Sequence, residues 1–221
     1  MSMPTIDFLA NFDRSDDQLA AFAAFCILST GVSAGRSFQT ASDLLCTAAE
    51  GVTPKDRLLE LDEKGLLPGA LKETGYRFFN QKARSLASLA RSDVDLRHGD
   101  FKDLRRIDGF AFKTIPFFLT YTRKDSPYFI PDIHILRAME KDGCREVKSK
   151  DGDPVWPGSM NAYDRLNAYF NAMAAQQGMS VMELDYKLWS QAALKDESKT
   201  MAEFLGRPPT RREMDTFGFR G

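Results

Sequence analysis

Two residues in the middle of the chain have the types and the setting for covalent chemistry. Lys113 follows a glycine turn in "LRRIDGFAFK", and Asp132 stands nineteen positions later, behind a proline, in "FIPDIHILR". A lysine at a helix start among Phe110, Phe112, Phe117 and Phe118 feels burial and the positive end of the helix dipole, and both disfavour its ammonium form. The neutral amine is a nucleophile. The same residue also reads as an ordinary helix-starting lysine whose stem packs and whose head reaches water. Pro131 forces Ile130 to be extended and sets Asp132 at the N-cap of "IHILRAMEKDG". A carboxylate there has a structural job, and it can also take a proton from the lysine or stabilise a neighbouring cation. His134 reads first as a packing residue and second as a substrate contact.

The residues just before Lys113 suggest what such a site would hold. "FKDLRRI" reads as a short helix, "DGFAF" as a tight turn needing Gly109 at positive φ, and "KTIPFFLTYTR" as a second helix. Helix ends around such a turn aim free amides outward from Gly109, Phe110 and Ala111, which makes a phosphate site, and Arg105 and Arg106 reinforce it. Residues 71 to 150 carry 17 Lys and Arg against 11 Asp and Glu, a balance of +6 in a chain whose net charge is −1. That asymmetry fits a phosphate-binding face as well as the ordinary scatter of solvated helix charges. Further on, "MELDYKLWSQAA" places Asp185 and Trp189 one helical turn apart on one face. They read either as a core tryptophan beside a solvated acid or as an aromatic surface with a polar group next to it.

Helices must position all of these groups. Apolar residues recur at three- and four-residue spacing in "DDQLAAFAAFCILST", "SFQTASDLLCTAAE", "PKDRLLELDEKG", "FFNQKARSLASLARS", "DIHILRAMEKDG", "AYDRLNAYFNAMAAQQG" and "SVMELDYKLWSQAALK", and no strand series stands out. The chain is expected to be all-α. The stretch 145–161, rich in glycine and proline turns, reads as a linker. The tail "GRPPTRREMDTFGFRG" reads as an irregular cover that packs Phe217 and Phe219 onto the body. At 221 residues with 43% hydrophobic and 28% charged residues the chain affords a sizeable core. It has no apolar run long enough for a membrane span and no secretory signal pattern. Three scattered cysteines, Cys26, Cys46 and Cys144, suit neither a zinc site nor a disulfide framework, so no metal and an intracellular, cytoplasmic setting are expected.

The ordered set of motifs resembles the helix-hairpin-helix superfamily of base-excision DNA glycosylases. Ile107 to Lys113 is similar to its hairpin, Pro131 to Arg137 to its aspartate motif, "NQKARSL" at 80–86 to its N-x-K-A segment, and "LSTGVS" at 28–33 to the loop after its first barrel helix. Asp108 and Ala111 replace the usual proline and second glycine. Gly31 stands where relatives place a wedge residue, so Val32 or Arg36 is expected to substitute. The four-cysteine cluster of the endonuclease III branch is missing, which removes an iron-sulfur cluster and points to the 8-oxoguanine branch.

The resemblance implies a two-lobed fold with a cleft. Residues 26–140 would form a central lobe with the hairpin at about 100–123, and residues 1–25 plus 145–221 a second lobe. It implies a monomeric glycosylase and lyase, associated with double-stranded DNA that contains a modified base. Lys113 would form the Schiff base and Asp132 would assist. Gly109, Phe110, Ala111, Arg105 and Arg106 would grip phosphates. Trp189 would stack on the flipped base, Asp185 would read its edge, and His134 would lie nearby. No cofactor is implied beyond a monovalent cation that the hairpin can take. A glycosylase for another modified base, such as a bulky pyrimidine in foreign DNA, and a non-catalytic helix-hairpin-helix binding module are the rival readings.

Overall fold

The computed structural model describes residues 9–148, 152–193 and 210–219. The described residues form eleven α-helices and no β-strand, so the chain is all-α as its periodicity predicts. The first, α1 (Asp16–Leu28), is the axis of the fold. It opens with a capping box in which the Ser15 hydroxyl accepts from the Gln18 amide and the Gln18 side chain accepts from the Ser15 amide. Every residue from Leu19 to Leu28 is buried, the pattern of a helix enclosed on all sides.

Around it pack α2 (Ala34–Leu45), α3 (Pro54–Glu63) and α5 (Phe79–Arg91), with α4 (Leu67–Glu73) lying against α3 and α5. The short α6 (Phe101–Leu104) leads through the glycine turn to α7 (Thr114–Thr122), which packs on α1. Next come α8 (Ile133–Lys141), a 3-10 turn (Arg145–Val147), α9 (Met160–Gln176) and α10 (Val181–Ala193), with α10 against both α8 and α9. Residues 25 and 26, where a domain boundary is expected, both lie inside α1, and α1 contacts the middle helices as well as the C-terminal one.

The tail departs from the irregular cover expected of it. Part of it lies outside the described residues, but Arg211–Phe217 is a helix, α11, that returns to α1. Its cause is a Thr-x-x-Glu capping box: the Thr210 hydroxyl accepts from the Glu213 amide, and the Glu213 carboxylate accepts from Thr210 N at 2.7 Å. Phe217 and Phe219 do pack inward, against Phe25 and Phe38.

Arg14 fastens this end of the molecule. It is 1% exposed, and its guanidinium donates to the carbonyls of Leu9, Asn11, Tyr121 and Phe217 while lying 4.1 Å over the Phe22 ring. Since Tyr121 belongs to the last turn of α7, the helix that Lys113 opens is tied to both chain ends. No described helix is long and apolar enough to cross a membrane.

Candidate active site

The glycine turn is built against α5. Gly109 has φ +85°, and a Cβ there would meet the Ser85 Oγ at 2.6 Å, so both conformation and space demand glycine. The next residue back is held too, because the Asp108 amide donates to the Ser88 hydroxyl at 3.0 Å. Phe110 departs from the sequence reading: it is buried with its ring edge-on to Phe118, and its amide donates to the Ile107 carbonyl at 3.0 Å, so it offers no free donor to a phosphate. Gly109 and Ala111 are exposed, and among the described residues their amides donate to no backbone acceptor. The carbonyls of Leu104 and Ile107 each accept one bond within the hairpin, from Ile107 N and Phe110 N. A carbonyl oxygen has two lone pairs, so both keep capacity for a monovalent cation.

The two arginines beside the turn differ. Arg105 is exposed with its guanidinium 5.1 Å over the Phe112 ring. Arg106 is exposed as well and pairs with Asp93 at 2.9 Å, a solvent-screened contact that a phosphate can displace.

Lys113 stands at the N-cap position of α7 without a side-chain cap bond, and its Nζ lies 2.7 Å from Asp132 Oδ2. Asp132 is the N-cap of α8, where its other oxygen accepts from His134 N at 3.0 Å. The two readings of Asp132 are therefore both realised, one oxygen for each. Burial pushes its carboxyl up, but the Lys113 charge and hydrogen bond, with the His134 amide, outweigh that and hold it below the usual carboxylate range. His134 is half-buried and meets Asp132 through its main-chain amide.

What holds these two residues at this distance is an aromatic stack. Phe112, next to Lys113, lies against Tyr163 of α9 with centroids 5.8 Å apart and planes at 19°. Tyr163 lies against Phe129 at 5.4 Å and 15°, and its hydroxyl donates to the Phe129 carbonyl at 2.9 Å. Phe129 opens the segment that runs through Pro131 to Asp132, and its amide donates to Asn167 Oδ1 at 2.9 Å. Tyr163 and Asn167 lie one turn apart on α9, so this helix fixes both sides of the ion pair.

Asp185 of α10 also reaches this segment. It is buried, and its Oδ1 accepts from Ile130 N at 3.3 Å. Burial drives its carboxyl up to about 8; the Ile130 amide opposes this, the Asp132 charge adds to it and the Lys113 charge offsets part of it. Asp185 is thus not the solvated acid of the bland sequence reading. Neutral at pH 7, it can donate as well as accept. Trp189, one turn on, is half-buried and packs against the core.

Several residues at this site give a weaker signal in the sequence. Val32 is half-buried against the core, which leaves little of it free to enter a duplex. Arg36 is exposed and donates to the Gly75 carbonyl at 3.4 Å, beside the segment leading into α5. On that segment Phe78 is 61% exposed, and the Arg77 guanidinium sits 5.9 Å over its ring. One turn further along α5 is Lys82, whose Nζ donates to the Ile27 carbonyl and to the Thr30 hydroxyl. Burial and then the Lys113 charge bring Lys82 down to about 8.

No family model and no curated protein matches the chain. Solved structures do. The 8-oxoguanine DNA glycosylase of Methanocaldococcus jannaschii superposes with a TM-score of 0.64 at 22% identity, over 84% of this chain and 83% of that one. The Methanocaldococcus jannaschii 8-oxoguanine glycosylase/lyase in complex with 15mer DNA containing 8-oxoguanine gives 0.66 at 20% identity, over 85% and 86%. The 8-oxoguanine DNA glycosylase of Thermotoga maritima gives 0.65 at 22%, over 81% and 82%. The chain has the fold of these glycosylases along most of its length.

Proposed function

We propose that this chain is a DNA glycosylase with lyase activity that flips 8-oxoguanine out of double-stranded DNA and removes it through a lysine Schiff base. The observation that supports this reading most is the 2.7 Å pairing of Lys113 with Asp132, in a fold shared with 8-oxoguanine glycosylases. The free amides of Gly109 and Ala111, with Arg105 and Arg106, would hold the phosphates beside the lesion. If a monovalent cation binds at the turn, the Leu104 and Ile107 carbonyls would hold it, and it would supply positive charge beside a phosphate. The protein would act as a monomer.

The chemistry begins when Lys113 gives up a proton to Asp132 or to water. The amine then attacks C1′ of the sugar, and the bond from C1′ to the base nitrogen breaks with its electron pair going to the base, which takes up a proton. As that bond lengthens, positive charge builds on the sugar, and Asp132, ionised once any proton it took has passed to the leaving base, stabilises it. Opening of the sugar ring moves a proton to the ring oxygen and leaves an imine between Lys113 and C1′. Loss of a C2′ proton then expels the 3′ phosphate and cuts the strand. In the pocket, Trp189 would stack on the extruded base, while Asp185 reads its edge and His134 lies at its margin. Phe78, the exposed aromatic nearest this end of α5, would fill the gap left in the duplex, with Arg36 beside it.

A panel of duplexes, each holding one modified base, tests this reading. The expected result is release of 8-oxoguanine with strand cleavage on its 3′ side. Preferential release of a modified pyrimidine would move the substrate to another base, and no release from any duplex would leave only a binding module.

A further inference from the structure

Two large aromatic side chains stand exposed among the described residues, Phe78 and Trp156. The reading above uses the first and leaves the second without a task. Trp156 is 45% exposed and its neighbour Val155 38%, and the turn that carries them is fixed on both sides. Pro154 and Pro157, which flank the pair, are both buried. On one side Asp153 pairs with Arg137 of α8 at 3.1 Å, and on the other Ser159 caps α9, its hydroxyl accepting from Ala162 N at 3.2 Å. An indole already held in place loses little further freedom when it meets a ligand.

The Arg137–Asp153 pair also fixes what the turn lies beside. Arg137 stands one turn after Ile133 and one turn before Lys141, so the two cations form an exposed stripe on α8 that runs on from the Asp132 end. Arg145 and Lys148 follow and are exposed as well. Of the acids in this stretch, Asp142 accepts from the Tyr169 hydroxyl at 2.9 Å and Glu146 from Arg165 at 2.7 Å, both donors on α9, and Glu140 is half-buried. Arg137 and Asp153 make a solvent-screened pair like that of Arg106 and Asp93, so a phosphate can take the place of Asp153.

We propose that the Val155–Trp156 turn and the Arg137–Lys141 stripe form a second contact to double-stranded DNA, in which the indole lies on the sugar–phosphate backbone and Arg137 takes a phosphate. This rests on the DNA reading above and adds a grip on the α8 side of the site to the one at the hairpin. The chemistry of the ring suits that ligand, since deoxyribose offers an apolar face and a phosphate oxygen accepts from the indole N–H. Such a contact reads no base, so it serves undamaged duplex as well as the lesion.

Anisotropy titrations with undamaged duplex test the contact without any excision step. Trp156→Ala should weaken binding by about tenfold. Its slope of log K against log [salt] should match that of wild type, because no charge is removed, whereas Arg137→Gln should lower the slope by up to about one. Wild-type affinity in Trp156→Ala, or an unchanged slope in Arg137→Gln, would overturn the proposal. So would a wild-type dimer in sedimentation that Trp156→Ala converts to monomer, since the turn would then be an interface between copies of the chain. If Trp156→Ala fails to fold, wild type labelled with 5-fluorotryptophan gives the answer directly. The chain has two tryptophans, and the more exposed, Trp156, is the one whose fluorine resonance responds more to exchange of H2O for D2O. That resonance should move and lose its solvent response when undamaged duplex is added; a resonance that stays where it was would contradict the contact. Wild type that binds duplex yet excises nothing would sink the glycosylase reading and leave this contact standing, so the two failures are distinguishable.

Discussion

Phe112 and Tyr163 lie face to face, 5.8 Å between centroids and 19° between planes, and through this contact α9 holds the lysine turn against the aspartate segment. The stack continues to Phe129 and Phe170, at 5.4 and 5.3 Å. A reaction that depends on Lys113 and Asp132 meeting is sensitive to this distant helix, because a displacement of about 1 Å at reacting groups can cost on the order of a hundredfold.

Tyr163→Phe keeps the stack and loses the hydroxyl bond to the Phe129 carbonyl. It should cost about 1 to 2 kcal/mol of stability with little change in excision rate. Tyr163→Leu removes the stacking plane and should lower single-turnover excision by about tenfold or more while undamaged duplex binds as before. Equal rates for Tyr163→Leu and wild type would remove the stack from the positioning of the site.

Asp132→Asn should separate the two jobs of this residue. Asparagine caps about as well as aspartate, so the melting temperature should stay near that of wild type. The charge beside the developing sugar cation is lost, and excision should fall about a hundredfold or more. Near wild-type turnover would leave Asp132 with the cap alone.

Stability should fall with rising pH because of Asp185. Its carboxyl titrates near 8 in the fold and near its ordinary value of 3.8 when unfolded, so between those values the native state binds the extra proton. The contribution is fully present below the unfolded value and is lost as pH rises through about 8. Asp185→Asn, which keeps an acceptor for the Ile130 amide, should flatten that part of the profile and melt above wild type near pH 9. Parallel melting curves for the two proteins across this window would contradict the assignment.

Phe78→Ala should test the exposed ring on α5. At 61% exposure it contributes little to the core, so the fold should melt normally. Excision should weaken through loss of the flipped state, whereas Val32→Ala, at a half-buried position, should act on stability first. If Phe78→Ala excises at the wild-type rate, the ring plays no part in holding the opened duplex.

Much of the site is legible in the sequence because its parts are local. Gly109, Lys113, Pro131 and Asp132 announce turn, helix start and cap within a few residues each, and the structure assembles them. Groups that act across the fold leave no such mark. Arg14 looks like a solvated charge beside Asp13 and Ser15, yet it is enclosed by four carbonyls, two from the residues just before it and two from the distant Tyr121 and Phe217. Tyr163 has the spacing of any core aromatic. Phe78 is hidden for the opposite reason, since an aromatic at a helix start reads as core until its neighbours are seen to leave it bare. Helix α4 is short and its N-cap Leu66 makes no side-chain cap bond, so its start signal is Pro68 in the first turn, which beside Gly69 reads as a turn. Helix α11 did carry a signal, the Thr210 and Glu213 pair, outweighed by the glycine and prolines around it.

The central claim is that Lys113 is the nucleophile, and borohydride trapping on a duplex containing 8-oxoguanine measures it most directly. Wild type should yield a stable protein–DNA adduct, and peptide mass spectrometry should place it on Lys113. Lys113→Gln should bind the same duplex and yield none. An adduct of undiminished yield in Lys113→Gln, or one mapped to another residue in wild type, would contradict the account.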